Sequence, residues 1–427
     1  MSSPDSATTQ GFVRRDQTLF CEGVDCARLA EEFGTPCYVY SRARIEANLD
    51  HFERALAGTK HEIRYAMKAN SAAGILQIIA ARGLGVDTVS AGEIRRARRA
   101  GIPAEKIVFS GVAKTADEIR YALREGIGSF NVESIAELER LDAIATELGI
   151  VANFSIRCNP DVDAQTHPYI STGLKKNKFG VPIEFAESLY LASKGKPFLR
   201  AVGVDAHIGS QLLDPRPHNE AAQKLIELVV RLKAEGIPLH HIDIGGGYGI
   251  AYEEGDQAPD LTEFFAPIIA AMKANGLEDM ALMVEPGRSV VGDAGVLLTT
   301  VQYMKDTGMR LFCLTDVGMN DLIRPALYSA WMRIENLHPS TEPVQVMDVV
   351  GPVCESSDFV AKDRPLAAKA GDVLVIFDAG AYGASMASRY NSRVLPTELL
   401  VDGEKIHVLR APETFEEIIA GDNLITL

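Results

Sequence analysis

The chain has 427 residues, a formal charge of −15, and 47% hydrophobic against 24% charged residues. That length exceeds one ordinary core and predicts two domains of a globular protein. The acidic balance excludes a nucleic-acid partner, because phosphate contacts need a basic face.

The first dozen residues are polar and patternless, so a frayed terminus is expected there. No stretch reaches membrane-spanning length, and no basic-then-apolar leader opens the chain. No membrane association and a cytoplasmic location are therefore expected. Between Thr35 and Gly287, strand-like runs at Ile63–Met67, Gly85–Val89, Ile107–Gly111, Gly128–Val132, Val151–Arg157, Ala201–His207, His241–Ile244 and Leu282–Glu285 alternate with helix-like segments. Ala91–Ala100, Thr115–Glu125, Ser134–Leu148 and Asn219–Glu235 are such segments. Eight strands separated by helices predict a parallel (β/α)8 TIM-like barrel over residues 35–287. An open, doubly wound sheet is the rival, since alternation does not show closure. The count of eight and the polar residues at strand ends favour the barrel.

After Gly287 the texture becomes all-β, with strands expected at Val296–Met304, Arg310–Asp316, Val344–Val350, Val373–Phe377 and Lys405–Leu409. A β-sandwich or β-barrel domain over 288–427 is predicted, joined by the segment 1–34. Six cysteines (Cys21, Cys26, Cys37, Cys158, Cys313, Cys354) are scattered without a CxxC pair. That pattern is neither a disulfide framework nor a zinc site, and no metal is expected.

Candidate chemistry gathers where barrel strands end. Lys68 follows the first strand, in Tyr65-Ala66-Met67-Lys68-Ala69-Asn70. A lysine at that end points into the mouth of a barrel, where desolvation or other cations can free its amine for a Schiff base. A solvated loop lysine is the plainer alternative. Asp243-Ile244-Gly245-Gly246-Gly247-Tyr248-Gly249 follows the seventh strand and Glu285-Pro286-Gly287-Arg288 the eighth. Barrels often hold phosphate there, on glycine-rich loops whose N–H groups close on an anion. A flexible turn would read the same way. Glu285 could keep a pyridine nitrogen protonated; no other partner for its carboxylate is visible in the sequence. His207-Ile208-Gly209-Ser210-Gln211 ends the sixth strand. There His207 could cover an aromatic cofactor and Ser210 donate to its phosphate, or His207 could be a hydrogen-bonded core residue. Ser171–Gly180, rich in lysine and glycine, is a candidate lid over the mouth or an ordinary exposed loop.

Lys68, His207, Gly245–Gly247 and Glu285–Arg288 resemble the motifs of the alanine-racemase-like decarboxylases that use pyridoxal 5'-phosphate. Longer segments narrow the likeness to the diaminopimelate decarboxylases. These are Asn131–Ser134, Phe179-Gly180, Met319–Tyr328, Gly351–Ser356 and Asp378–Tyr382. The likeness runs from about Gly23 onward. It implies a lyase that converts meso-2,6-diaminopimelate to L-lysine and CO2, the last step of lysine biosynthesis. Lys68 would hold the cofactor aldehyde, with His207 on the ring and Glu285 at its nitrogen. Asp87 and Arg157 join these as implied cofactor residues. Ser210, Gly247, the amides near Gly287, and Tyr382 would take the phosphate, and Gly245, Gly246 and Arg288 are further implied cofactor residues. Arg288, Arg324, Tyr328 and Tyr382 would hold the substrate, Glu355 its distal amine, and Cys354 would return a proton to the α-carbon. Cys354 and Glu355 would come from the partner subunit of a homodimer.

One segment departs from the pattern. Where the family commonly reads Asn-Ser-Arg-Pro-Arg-Pro, this chain has Asn391-Ser392-Arg393-Val394-Leu395-Pro396. Other readings on the same fold are decarboxylation of ornithine, arginine or carboxynorspermidine, racemisation, or a catalytically silent relative. The first group needs no grip on a distal amino-acid terminus. A racemase wants a base on each face of the cofactor, and a silent relative would be expected to have lost Lys68 or Cys354.

Overall fold

Strands of three to eight residues form at His61–Ala66, Gly85–Thr88, Ile107–Phe109, Ser129–Val132, Ala152–Asn159, Leu199–Asp205, His241–Asp243 and Ala281–Val284. Each pairs in parallel with its neighbour, and Ala281–Val284 returns to pair with His61–Ala66. That last pairing closes the barrel and rules out the open sheet. The computed structural model describes residues 11–162 and 178–426. The barrel unit comprises Leu49–Ile250 and Gln257–Ser289.

The crossover helices start and stop where local chemistry dictates. Thr115 and Glu118 form a reciprocal capping box ahead of Ala116–Glu125, which ends at Gly126 in a left-handed conformation. Ser134 caps Ile135–Leu148 by accepting the Glu137 N–H on its hydroxyl, and Gly149 terminates it. Ile119, Ala122 and Leu123 form a buried stripe on the first of these, and Leu138, Leu141 and Ile144 on the second. Under the seventh-strand loop, Tyr248 packs edge-on against Phe52, Phe264 and Phe265 and stacks on His218, at 5.1–5.5 Å between ring centroids. This aromatic bed carries the glycine loop above it.

A second unit gathers Met1–Asn48, Ala251–Asp256 and Val290–Leu427. Its main sheet runs Phe359–Leu366, Gln345–Val350, Leu311–Thr315, Gly295–Asp306, Cys37–Ser41, Thr397–Asp402, Lys405–Arg410. Leu19, Cys26 and Leu29 share a core with Val296, Val375 and Leu399. Five of the cysteines are buried and free, and Cys354 is exposed.

One expectation is corrected here. Residues 35–41 do not belong to the barrel, because Cys37–Ser41 pairs with Gly295–Leu298 on one side and Thr397–Val401 on the other. All five of its residues are buried, as a strand in mid-sheet requires. Phe359–Leu366 and Thr397–Asp402 are strands that the sequence pattern did not reveal. The segment 171–177 of the candidate lid lies outside the described residues.

Burial makes one consequence of this packing measurable. His218 donates from Nε2 to the Gly246 carbonyl at 2.8 Å, and burial pushes its pKa down to about 4. The unfolded chain takes up a proton there near pH 6.5 and the folded chain does not until about pH 4. Stability must therefore fall as pH drops through that window. Denaturant midpoints measured between pH 7 and pH 4 should show a shallower fall for His218→Gln. The difference should amount to about 3 kcal/mol across the window. An unchanged slope would contradict the neutral, buried assignment.

Candidate active site

The first barrel strand stops at Ala66, and Met67–Ala69 turns as a short 3-10 helix that presents Lys68. Lys68 Nζ donates to Asp87 Oδ2 at 2.8 Å, from a side chain 36% exposed to one that is sealed. Gly287 abuts this turn: a Cβ there would lie 3.1 Å from the Cβ atoms of both Ala66 and Ala69. The Ala66 N–H also donates to the Pro286 carbonyl at 3.0 Å, so the eighth-strand loop is tied to the lysine turn.

The seventh-strand loop is built from contacts that admit no side chain. A Cβ on Gly246 would stand 2.1 Å from the Glu285 carbonyl oxygen, and one on Gly247 2.3 Å from that of Gly209. Gly247 also has φ +99°, a backbone state that other residues rarely adopt. Gly245 sits against Ala206 and His207, and its N–H donates to Asp243 Oδ1 at 2.8 Å. Beside this loop Arg288 Nη2 donates to Ser210 Oγ at 3.0 Å.

His207, half-buried, accepts the Gly246 N–H on Nδ1 at 3.2 Å. Desolvation first, then Arg157 and Lys68, drive its pKa well below the ordinary value. It is a neutral imidazole, which suits a flat covering group better than an acid. Arg157 pairs with Glu133 at 2.9 Å and lies over the Phe179 ring. Glu133 also accepts the N–H groups of Gly111 and Gly180.

Glu285 is 5% exposed, and its Oε1 has no hydrogen-bond donor. Contrary to the reading from sequence, it has close neighbours. Burial first, then Asp243, Asp87 and Asp205, push its pKa well up. Asp205, Asp243 and Glu285 form a group with metal-ligand spacing, composed of carboxyls alone. The reading from sequence missed Asp205, Asp243 and Glu133. The signal available was position: each ends a barrel strand or follows one directly, where polar residues mark the functional mouth.

In the second unit, Arg324 opens the helix Arg324–Tyr328 and is 5% exposed. Its guanidinium stacks on the Tyr252 ring at 4.5 Å, and Nη1 reaches Met332 Sδ at 3.3 Å. Tyr328 is half-buried. Tyr382, also half-buried, adopts φ +56° in the turn after Val373–Ile376. Cys354 and Glu355 stand on an exposed loop. The Asp358 carboxylate anchors that loop by accepting the N–H groups of Met319 and Val353 at 2.6 and 2.7 Å. The departing segment folds beside it: Asn391 Oδ1 accepts the Cys354 N–H at 2.8 Å, and Tyr390 donates to Glu355.

A family model described as pyridoxal-dependent decarboxylase, pyridoxal binding domain, matches residues 42–292. A diaminopimelate decarboxylase of Pseudomonas aeruginosa is 50% identical over 414 residues, spanning 97% of this chain and 99% of that one. The chain belongs to the diaminopimelate decarboxylase family. Among solved structures, diaminopimelate decarboxylase from Helicobacter pylori complexed with L-lysine has a TM-score of 0.89 at 45% identity, covering 92% of this chain and 98% of that one. The M. jannaschii enzyme in co-complex with L-lysine reaches 0.93 at 40% identity, covering 98% and 99%.

The family's cofactor is pyridoxal phosphate, and the residues present fit it. An amine stands at a strand end. Glycine loops, which a Cβ would block, lie at the two places where barrels hold phosphate. A neutral imidazole joins them, with a buried carboxyl that has an oxygen to spare. Among the described residues no helix is long and apolar enough to cross a membrane.

Proposed function

We propose that this chain decarboxylates meso-2,6-diaminopimelate to L-lysine and CO2 in the cytoplasm, as a homodimer. The observation that carries the reading is Lys68, ion-paired to sealed Asp87 where the first barrel strand ends, in a chain of this family. Pyridoxal phosphate, when bound, supplies the electron sink that takes up the pair left by the departing carboxylate.

The chain's own residues do the rest. Lys68 holds the cofactor aldehyde, Asp87 and Arg157 flank it, and His207 covers the ring. The amides of Gly247 and Gly287, with Ser210 and Tyr382, hold the phosphate, while the Gly245 and Gly246 amides, bonded to Asp243 and His207, shape the cofactor loop. Arg288, Arg324 and Tyr328 grip the carboxylate that is kept; planar guanidinium forks suit a carboxylate bidentately. The Arg324 guanidinium is held over the Tyr252 ring. Glu355 meets the distal amine, and Cys354 Sγ delivers the proton to the α-carbon. Both of these come from the partner subunit, a reading supported by their exposure on a loop with a firm carboxylate anchor.

Purified protein loaded with cofactor should release lysine and CO2 from meso-diaminopimelate and leave ornithine and arginine untouched. Turnover of ornithine instead would favour the alternative substrate class. Arg324→Met should lower kcat/KM by roughly ten- to a hundredfold, the value of a charged hydrogen bond, with cofactor absorbance retained. An unchanged kcat/KM would remove Arg324 from the substrate grip.

Mixed dimers test the shared site. Lys68→Ala and Cys354→Ala chains should each be inactive alone. Refolded together in equal amounts they should regain about a quarter of wild-type activity, because about half the dimers are mixed and each has one intact site. No recovery, with dimers confirmed by gel filtration, would place Cys354 in its own chain's site.

A further inference from the structure

Asp205, Asp243 and Glu285 each bring one carboxyl oxygen within 4.8 Å of the others inside the barrel. Strand register explains the first two. Arg157 pairs with Asp205, and Asp205 with Asp243, across neighbouring parallel strands. The pleat therefore sends all three side chains to one face, and that face is the barrel interior. The carboxyls are 2%, 0% and 5% exposed. Each keeps a sealed oxygen without a donor: Asp205 Oδ1, Asp243 Oδ2 and Glu285 Oε1. The second oxygen of Asp243 is committed to the Gly245 N–H.

The surrounding cations are each paired, although Arg64 Nε is buried without a partner. Lys68 pairs with Asp87, Arg157 with Glu133, and Arg64 with Glu62 and the Lys106 carbonyl. Tyr248 donates its hydroxyl to the Gly245 carbonyl, and His207 is neutral. Asp87 adds a further negative neighbour to Asp243 and Glu285. Three ionised carboxylates cannot share a dry space of this size; a retained proton both lowers the charge and supplies the missing donor. Burial first raises all three, Asp243 to about 7; Asp243 repels both Asp205 and Glu285, whereas at Asp243 itself the repulsion comes from Asp87 and a hydrogen bond shared with Glu285 acts the other way.

We propose that Asp243 and Asp205 are positioning residues for Glu285, with Asp243 holding a proton that it donates to one Glu285 oxygen. The other oxygen is then fixed, and ionised, toward the ring nitrogen of the cofactor. Asp205 keeps the proton in place, because ionising Asp243 would set three negative groups together. This rests on the reading that Glu285 meets that nitrogen. It also explains why Asp243 opens the glycine loop. One oxygen sets the loop through Gly245 while the other sets the acid beneath the ring, so phosphate and ring nitrogen are located by the same side chain.

Asp243→Asn is the diagnostic change, since the amide oxygen can still accept from Gly245 and its NH2 can donate permanently to Glu285. Infrared spectra of the cofactor-loaded protein at neutral pH should contain a protonated-carboxyl C=O band that carbon-13 labelling of aspartate shifts. Asp243→Asn should remove it. Cofactor affinity, by absorbance titration, should stay within about threefold in Asp243→Asn and fall about tenfold or more in Asp243→Ala, where the donor is lost.

A band untouched by Asp243→Asn overturns the inference, and so does an equal loss of affinity in both variants. So does absence of the band from the wild type, as when all three carboxylates surround a cation. Glu285→Gln separates the underlying reading. If it leaves the pH dependence of the bound-cofactor absorbance unchanged, the ring-nitrogen assignment falls, whereas an unchanged Asp243 band removes only the positioning role.

Discussion

Charge buried inside a closed barrel is the constraint on which the rest of this structure depends. Lys68, Arg157 and Arg64 lie among Asp87, Glu133, Asp205, Asp243 and Glu285, and most of these are withdrawn from water. Ion pairs at 2.8 and 2.9 Å neutralise Asp87 and Glu133. The remaining carboxyls approach within 4.8 Å, where two unit charges repel by about 3 kcal/mol at an effective dielectric of 20. A fold selected for stability alone would fill that space with branched apolar side chains, as barrels ordinarily do. The surplus of acid is a cost borne at one site, and such local violations are where function resides.

The glycine loop solves a second problem with the same parts. Gly246 and Gly247 let the seventh-strand loop close against the carbonyls of Glu285 and Gly209. Backbone N–H groups can then converge on a phosphate without a cationic side chain. Tyr248, four aromatic-ring contacts beneath, makes the loop rigid. In the second unit, rigidity has other origins. Asp358 pins the loop that carries Cys354, and the Tyr252 ring orients Arg324. Here the departing segment does structural work: Asn391 caps the Cys354 N–H, whereas Val394 is 37% exposed.

Much of the barrel was legible because its strands are short apolar runs between capped helices, and because polar residues at their ends have no structural reason to recur. Lys68, His207 and the two glycine loops were visible on those grounds, and the long motifs supplied the family. Cys37–Ser41 was not, since a fully buried strand shows no alternation and looks the same on either side of a domain boundary. Phe359–Leu366 was hidden by Lys362-Asp363-Arg364-Pro365; Asp363 sits at φ +51° beside a register shift. Asp205 and Asp243 lie thirty-eight residues apart in sequence. Only closure and register bring them together, so a pairing of this kind cannot be read along the chain.

The proposed chemistry requires Lys68 to be the residue that holds the cofactor. Protein purified with pyridoxal phosphate should be yellow, and borohydride should bleach that absorbance. Mass spectrometry of the proteolysed product should then find the pyridoxyl group on Lys68, and Lys68→Ala should carry none. An adduct on any other lysine, or a bleachable absorbance that persists in Lys68→Ala, would contradict it.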